Sequence, residues 1–413
     1  MKRILLFAMA GAIIFTACKK KTPGEEKPEE VVEVPIVHPP VDLPYSNLTT
    51  EEHKQNLEDA GIDFVQKINT LPDEQFVDVL SFLADLGSDV SSTSVSSVLS
   101  IGHAAGKKDI RGIFRAVTSA ATTESKLSEV YGIYTWNKTT EEWDETTSTS
   151  KLEYRFPSSD LSNTNDATLT FSYVASNVKA TVDGETAELP ASATVVLKKA
   201  TTELLKLTST YAYHTDGTPT ATNINLVLGS FSLLTQVNNT TKNLEAEFSI
   251  KKGAEVLLSL TTAAVGNMSV TSGNSADSFS EFIKSANATF QIMNIKLVGV
   301  VDFKAIDDAT SANNLSDSLR NVKEAQALNT HAKFIAMRKN DNSVIAKIIF
   351  VPISDRECYS NYNGYNWVQN CYTDYYLDPR LVFKDGSKKT FEVFTDEGFS
   401  QLIDDLDEFA NKF

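Results

Sequence analysis

Histidine and cysteine, the residues that build most metal and nucleophilic sites, are scarce in this chain. Its 413 residues include three cysteines and five histidines. The histidines show no HExxH or HxH spacing, and no GxSxG, Walker or GxGxxG motif is present. The sequence therefore predicts no catalytic residue, no metal site and no cofactor, and it favours a protein that is not an enzyme. The five histidines are His38, His53, His103, His214 and His331.

Basic charge and long apolar runs are also lacking. The chain has 38 basic and 54 acidic residues, which gives a formal charge of −16 at pH 7. Nucleic acid is an unsuitable partner, because its phosphates require clustered cations. The longest apolar run, residues 4–15, is shorter than the roughly 20 residues that span a bilayer. Since Lys2 and Arg3 precede it, this run has the form of a signal-peptide core.

A cysteine with small neighbours ends this signal sequence. Phe15-Thr16-Ala17-Cys18 resembles a bacterial lipobox, although Phe15 stands where leucine is usual. The resemblance implies cleavage after residue 17 and lipid attachment at Cys18. Two or three acyl chains would then hold the protein on a membrane, because each buried methylene contributes about 0.8 kcal/mol. The alternative is an ordinary cleaved signal peptide that leaves a free thiol.

Proline is concentrated directly after this cysteine. Residues 22–44 contain six of the twelve prolines and several glutamates. Proline fixes φ and removes a hydrogen-bond donor, and repelling carboxylates extend the backbone. We therefore expect residues 18–45 to be the lipidated cysteine and an extended tether, with a reach of about 80 Å.

Helical patterns follow over residues 46–125, which we expect to pack on a sheet. Thr49 and Glu52 match a capping box before an apolar stripe that ends near Ile68. Pro72 is expected to open a second helix, with Phe76, Val79, Leu80 and Leu83 on one face, and residues 95–117 a third.

The apolar period changes to two in residues 126–413. Alternation such as Leu169-Thr170-Phe171 predicts antiparallel strands with one wet face. Asp183-Gly184, Asp216-Gly217 and Lys252-Gly253 have the composition of hairpin turns. The apolar phase shifts at Gly229-Ser230, which we interpret as a β-bulge.

The end of the chain contains a further hairpin and a helix. We expect residues 381–383 to pair with residues 391–394 around Asp385-Gly386, and residues 399–409 to form an amphipathic helix. The predicted fold is α+β: N-terminal helices, a long curved antiparallel β-meander resembling a half-barrel, and a C-terminal helix.

Two cysteines remain besides Cys18, and the most distinctive composition lies between them. An exported chain keeps disulfides, so a bond between Cys358 and Cys371 is expected. Aromatic residues with polar handles crowd this loop and suit ligand or partner contacts. Two interpretations stay open: a binding surface, or a stapled loop whose tyrosines lie on the sheet. The candidate ligand-binding residues are Tyr359, Tyr362, Tyr365, Trp367 and Tyr372.

Several segments resemble uncharacterised outer-membrane lipoproteins of Bacteroidota. They are residues 131–137 with Glu142-Trp143, residues 152–157, residues 167–171, residues 189–192 and the closing hairpin with the acidic C-terminal helix. The resemblance implies a lipid-anchored envelope protein, facing either the periplasm or the cell surface, and gives no functional residues.

The expected function is a non-enzymatic binding or structural module of the envelope, attached to the membrane through its N-terminal lipid. One alternative is a carrier of lipid or another apolar ligand in a cavity of the curved sheet. A second is a surface protein that binds glycans through the tyrosine-rich loop. The candidate partners are thus a glycan, a lipid or an envelope protein.

Overall fold

The chain is built around one very large β-sheet. The computed structural model describes residues 35–86, 131–182, 185–215, 217–269, 279–311, 315–362 and 365–396, together with Asp404. The strands are β1 (Gly132–Asn137), β2 (Glu142–Thr147), β3 (Leu152–Phe156), β4 (Ala167–Val182), β5 (Glu185–Lys199), β6 (Thr202–Tyr213), β7 (Pro219–Leu228), β8 (Phe231–Asn239), β9 (Asn243–Lys252), β10 (Glu255–Gly266), β11 (Ile283–Ile292), β12 (Ile295–Asp302), β13 (Ala332–Arg338), β14 (Val344–Tyr362), β15 (Trp367–Val382) and β16 (Lys388–Thr390). The helices are α1 (Thr50–Ile68), α2 (Gln75–Leu86), α3 (Phe279–Phe282), α4 (Phe303–Thr310), α5 (Asp317–His331) and α6 (Phe391–Asp396).

All these strands belong to a single open sheet of 16 strands. The spatial order follows the chain from β16 back to β3, and β1 and β2 complete the other edge. Neighbouring strands are antiparallel except β1 and β3, which run parallel. The predicted α+β class and the antiparallel meander are confirmed, with strands dominating the fold.

Helices α1 and α2 cover one face of the sheet, called here the covered face. Phe76 and Leu80 of α2 are 0% exposed. Because strand side chains alternate between faces, every second residue of the underlying strands points into this core. Burying each large apolar side chain stabilises the fold by roughly 1.5–3 kcal/mol. The sheet contributes Tyr154, Phe156, Phe171, Leu197, Leu207, Leu226 and Phe231 to the core.

Helix α1 begins as its sequence predicts. The Thr49 hydroxyl accepts a hydrogen bond from the Glu52 backbone N–H at 3.2 Å, and the Glu52 carboxylate accepts one from the Thr49 N–H at 2.7 Å. This reciprocal pair satisfies two N–H groups that the helix would otherwise leave free. Phe64, Val65 and Ile68 lie on its buried face, so the predicted apolar stripe is confirmed.

An extended N-terminal strap, residues 35–46, lies on the opposite face of the sheet. Val41, Leu43 and Tyr45 pack against a buried cluster of β12 to β14. Two backbone hydrogen bonds join the strap to Val344. Ser46 N–H donates to Val344 O at 2.8 Å, and Val344 N–H donates to Pro44 O at 2.9 Å. The predicted tether ran to residue 45, whereas residues 41–45 pack on the sheet, because their apolar side chains alternate as in a strand.

The shift of apolar phase at Gly229-Ser230 is a turn, so the predicted bulge is wrong. Leu228 and Phe231 face each other across the hairpin of β7 and β8. A two-residue turn places both side chains on the same face, which produces the shift in the sequence pattern. Gly229 has φ +57°, a left-handed conformation that glycine adopts without steric cost.

The closing hairpin also differs from its prediction. Residues 391–394 belong to helix α6, and Arg380–Val382 pair instead with the short strand β16. The Thr390 hydroxyl accepts a hydrogen bond from the Val393 N–H at 3.1 Å and so starts the helix. The signal peptide, Cys18, the third helix, the Asp183-Gly184 turn and, apart from Asp404, the C-terminal helix lie outside the described residues.

Aromatic and charged side chains pack closely on strands β1 to β3. Trp136 and Trp143 form a cross-strand pair, with ring centroids 5.3 Å apart. Glu153 lies on the face of the sheet opposite α1 and α2. Its buried carboxylate is 2.5 Å from Lys151 Nζ and 2.7 Å from Arg155 Nη2. Burial favours the neutral acid, but these hydrogen bonds outweigh it and leave the pKa of Glu153 below its usual value.

The contact between Glu74, the residue before α2, and the β7–β8 turn gives a testable prediction. The Glu74 carboxylate accepts hydrogen bonds from the Ser230 N–H and hydroxyl, and a Cβ on Gly229 would overlap this carboxylate. Gly253 has the same φ of +57° but open space around it. Gly253→Ala should cost about 1 kcal/mol through backbone strain. We expect Gly229→Ala to cost about 1–2 kcal/mol more, because the Glu74 hydrogen bonds are also lost.

Urea unfolding of both variants measures this difference. The Gly253→Ala variant is the matched control for strain in the backbone. Equal losses of stability would show that the turn does not depend on Glu74.

Candidate functional site

The hairpin of β14 and β15 extends beyond the sheet as a free-standing arm. Residues 354–376, called here the β-arm, pair from Ser354–Tyr375 to Tyr362–Trp367. The strands that pair with β14 and β15 end before this region. Strand β13 pairs with β14 only as far as Ile348, and β16 pairs with β15 only as far as Arg380. Nine facing pairs at about 3.3 Å per residue give the arm a length of about 30 Å.

Large aromatic side chains stand in solvent along the whole β-arm. Tyr365, next to the tip, is 88% exposed and Trp367 is 73% exposed. An exposed apolar group gains nothing from folding, and a continuous set of such groups marks a contact surface. The exposed aromatic residues of the arm are Tyr359, Tyr362, Tyr365, Trp367, Tyr372, Tyr375 and Tyr376.

The outer part of the β-arm carries no charge. Cys358 to Thr373 is free of Asp, Glu, Lys and Arg, although charged residues make up 22% of the sequence. Tyrosine, tryptophan, asparagine, serine and glycine dominate this segment, a composition typical of antibody paratopes. Such side chains supply rigid contact area and adaptable hydrogen bonding without the cost of desolvating a charge.

The predicted disulfide between Cys358 and Cys371 is confirmed. The two cysteines face each other directly in the hairpin, with Cα atoms 4.1 Å apart. A two-stranded hairpin without a core is marginally stable at best in water. Closing a loop with a sequence separation of 13 stabilises it by about 3 kcal/mol in a chain-entropy treatment. The crosslink therefore takes the place of a core in the arm.

Alternation along the strands places aromatic pairs on both faces of the arm. Tyr362 and Trp367, on the disulfide face, have ring centroids 5.6 Å apart. Tyr359 and Tyr372, on the other face, are 6.3 Å apart. The Tyr372 hydroxyl donates a hydrogen bond to the Glu357 carboxylate, and this bond raises the pKa of Tyr372 to about 12. The phenol is therefore neutral, and held in place, at physiological pH.

Two asparagines of α5 fix the base of the arm. The Asn329 side chain donates to Phe350 O and accepts from Phe350 N, both at 2.8 Å. The buried Asn321 amide donates to Ile353 O at 3.0 Å and Tyr376 O at 3.1 Å, one carbonyl from each strand. Helix α5 thus provides hydrogen-bond partners for backbone groups of β14 and β15 where the sheet ends. These bonds set the direction in which the arm leaves the sheet.

The structure brings all the predicted ligand-binding residues together on this arm. Their exposure is contrary to the interpretation that the tyrosines lie on the sheet. The supporting residues Asn321 and Asn329 were missed, because asparagine in a polar helix has no distinctive pattern. The four asparagines among the tyrosines of residues 358–373 were the signal that could have indicated exposure, because asparagine side chains are mostly exposed.

Other candidate chemistry is dispersed. His53 is buried in α1, where burial lowers its pKa, and His214 lies at the β6–β7 turn. In the part of the chain that the structure describes, no three His, Cys, Asp or Glu side chains are grouped to hold a metal ion. No helix among the described residues has the length and apolar character to cross a membrane.

Two cavities of about 380 and 430 Å³ lie elsewhere on the molecule. The larger is lined by charged and amide side chains of α1 and the nearby turns, including Asp59, Asp63 and Lys339. The smaller is a polar groove on strands β6 to β9. Neither is lined mainly by apolar side chains.

Comparison with family models, with curated proteins and with solved structures gives no match to this chain.

Removing the disulfide should loosen the arm and leave the rest of the fold unchanged. In the double variant Cys358→Ser/Cys371→Ser, we expect arm amides to exchange about ten- to a hundredfold faster, because the unpaired arm has no core. The midpoint of thermal unfolding should shift by less than about 2 °C, since the arm contributes nothing to the main core.

Hydrogen exchange measured by mass spectrometry on arm peptides tests this expectation. The matched control is Ser360→Ala/Gln369→Ala, which alters the next pair on the disulfide face of the arm and keeps the crosslink. Unchanged arm protection in the double serine variant would contradict the role given to the disulfide.

Proposed function

We propose that the chain is a lipid-anchored outer-membrane protein, of the kind found in Bacteroidota, that acts as a non-enzymatic binding module through its β-arm. The observation that carries the proposal is the projection of exposed, uncharged aromatic residues on a crosslinked hairpin. A crosslink lowers the ordering cost of binding, so the arm is pre-organised for a partner.

Glycans are the ligand class that this surface suits best. Sugar rings combine apolar C–H faces with hydroxyl groups at their edges. The exposed rings of Tyr365 and Trp367 can pack against the C–H faces of a sugar. Asparagine amides such as Asn361 and Asn370 can form hydrogen bonds with its hydroxyl groups. Side chains on both faces of the arm would allow contact with a polymer that passes the tip.

Membrane attachment is the second part of the proposal. It rests on the lipobox-like sequence at Cys18 and on the tether that follows it. Because the strap of residues 35–46 already lies on the sheet, we propose a tether of residues 19–34. The acidic charge of −16 would keep the body soluble beside a crowded envelope surface.

A carrier of apolar ligands is less well supported. The curved, half-barrel-like sheet that we propose could enclose such a ligand beneath helices. In the described residues, however, side chains of α1 and α2 occupy the covered face, and Phe76 and Leu80 are 0% exposed. A carrier needs an empty apolar cavity.

Glycan binding by the arm is tested with the mature chain on a glycan array. We expect Trp367→Ala and Tyr365→Ala each to weaken binding about tenfold, equal to ~1.4 kcal/mol, because each removes an exposed aromatic face. Trp367→Phe and Tyr365→Phe should retain most of the affinity, since a ring remains.

The control Tyr211→Ala removes a tyrosine from a stacked pair elsewhere on the sheet and should have no effect. Absence of glycan binding in the wild type, or equal binding by the alanine variants, would exclude this role of the arm.

Lipid attachment is tested separately by mass spectrometry of the mature N-terminal peptide. We expect cleavage before Cys18 and the added mass of two or three acyl chains. The Cys18→Ser variant should lose both and leave the membrane fraction. An unmodified thiol in the wild type would contradict the anchor without bearing on the arm.

A further inference from the structure

A polar groove lies on the face of the sheet opposite α1 and α2. Strands β6 to β9 form it, and its volume is about 380 Å³. Its residues alternate with core residues, as Thr208 does with Leu207 and Asn225 with Leu226. Six neutral polar side chains line it: Thr208, Thr210, Asn223, Asn225, Ser232 and Ser249.

The strand register arranges these side chains as a regular array. Thr208, Asn225, Leu234 and Ser249 lie in one row across the sheet, and Thr210 faces Asn223 in the next. Neighbouring strands are about 4.8 Å apart, and successive side chains on one face of a strand about 6.8 Å. Backbone pairing on both sides of every strand holds the array rigid.

The lining side chains keep their hydrogen-bonding capacity free. Within the described residues, none of the six has a side-chain hydrogen bond to the protein. Ser249 is 2% exposed, and its hydroxyl is buried without a partner. Buried polar groups are nearly always paired, so this hydroxyl points to a ligand that completes the site.

The chemistry of the lining selects the ligand. Hydroxyl and carboxamide groups each donate and accept, which suits a ligand whose own groups do both. The lining has no aromatic ring on which a nucleobase could stack, and Leu234 is its single apolar residue, too little for an acyl chain. Lys251 adds one ammonium group, and no carboxylate in the described chain forms an ion pair with it.

We propose that this groove is a second binding site, specific for a short saccharide that carries a carboxylate. The hydroxyl and amide array bonds the sugar hydroxyls, and Lys251 pairs with the carboxylate. The site is distinct from the β-arm, because β9 and β14 are five strands apart, about 24 Å across the sheet. It therefore does not rest on the function proposed for the arm.

Binding of the mature chain to an array of matched neutral and uronic-acid oligosaccharides tests the proposal, with calorimetry on the saccharides that bind. We expect uronic-acid saccharides to bind and Ser249→Ala, Asn225→Ala and Lys251→Gln each to weaken them about tenfold. Lys251→Gln should remove the preference over the matched neutral saccharide.

Two controls separate this site from the fold and from the arm. Ser209 is equally buried on the covered side, and its hydroxyl bonds Ala193 O. Ser209→Ala should leave uronic-acid binding unchanged, whereas loss of that binding in Trp367→Ala would place the site on the β-arm. Since Ser249→Ala removes no hydrogen bond, its thermal midpoint should equal or exceed that of the wild type.

The proposal is overturned if no uronic-acid saccharide binds, or if binding survives Ser249→Ala and Lys251→Gln. It is also overturned if Trp367→Ala abolishes that binding, because the arm would then be the site. Failure of the arm to bind glycans would not affect these outcomes.

Discussion

The packing of α1 and α2 on one face of the sheet is the interaction on which this structure depends. An open sheet of 16 strands exposes two faces and two edges, and an uncovered apolar face would aggregate. Phe76 and Leu80 fill the centre of the covered face. Because side chains alternate along each strand, burying one face requires the other to be polar, and the Thr, Ser and Asn groove follows directly from this requirement.

The edges and the second face are protected by other means. Strand β2 carries Glu142, Asp144 and Glu145 at one edge, and repelling carboxylates there oppose pairing with another chain. Strand β16, at the other edge, is three residues long. The strap packs Val41, Leu43 and Tyr45 on the apolar part of the second face. The β-arm lies outside all of this, so its order depends on the disulfide and on the asparagines of α5.

The sequence predicted those elements whose cause is local. The capping box at Thr49 and the Lys252-Gly253 turn each depend on residues close in sequence. Prediction failed where a distant partner decides: the phase shift at Gly229-Ser230 suits either a bulge or a turn, and the position of Glu74 against the turn is not visible in the sequence. For the site, the disulfide and the tyrosines were found, but their exposure depends on where β13 and β16 end. The groove was missed, because its row of Thr208, Asn225, Leu234 and Ser249 comes from four strands.

In the ligand-free protein, the β-arm is a rigid hairpin whose aromatic side chains stand free in solvent. The emission of Trp367 tests it most directly, since Trp136 and Trp143 pack near the core and the wild-type spectrum minus that of Trp367→Phe isolates this residue. We expect the emission wavelength of a water-exposed indole and full accessibility to iodide quenching. The anisotropy decay of this emission should show the slow local motion of a folded hairpin. A blue-shifted emission shielded from iodide would show that the arm is folded against the body, and would contradict the account.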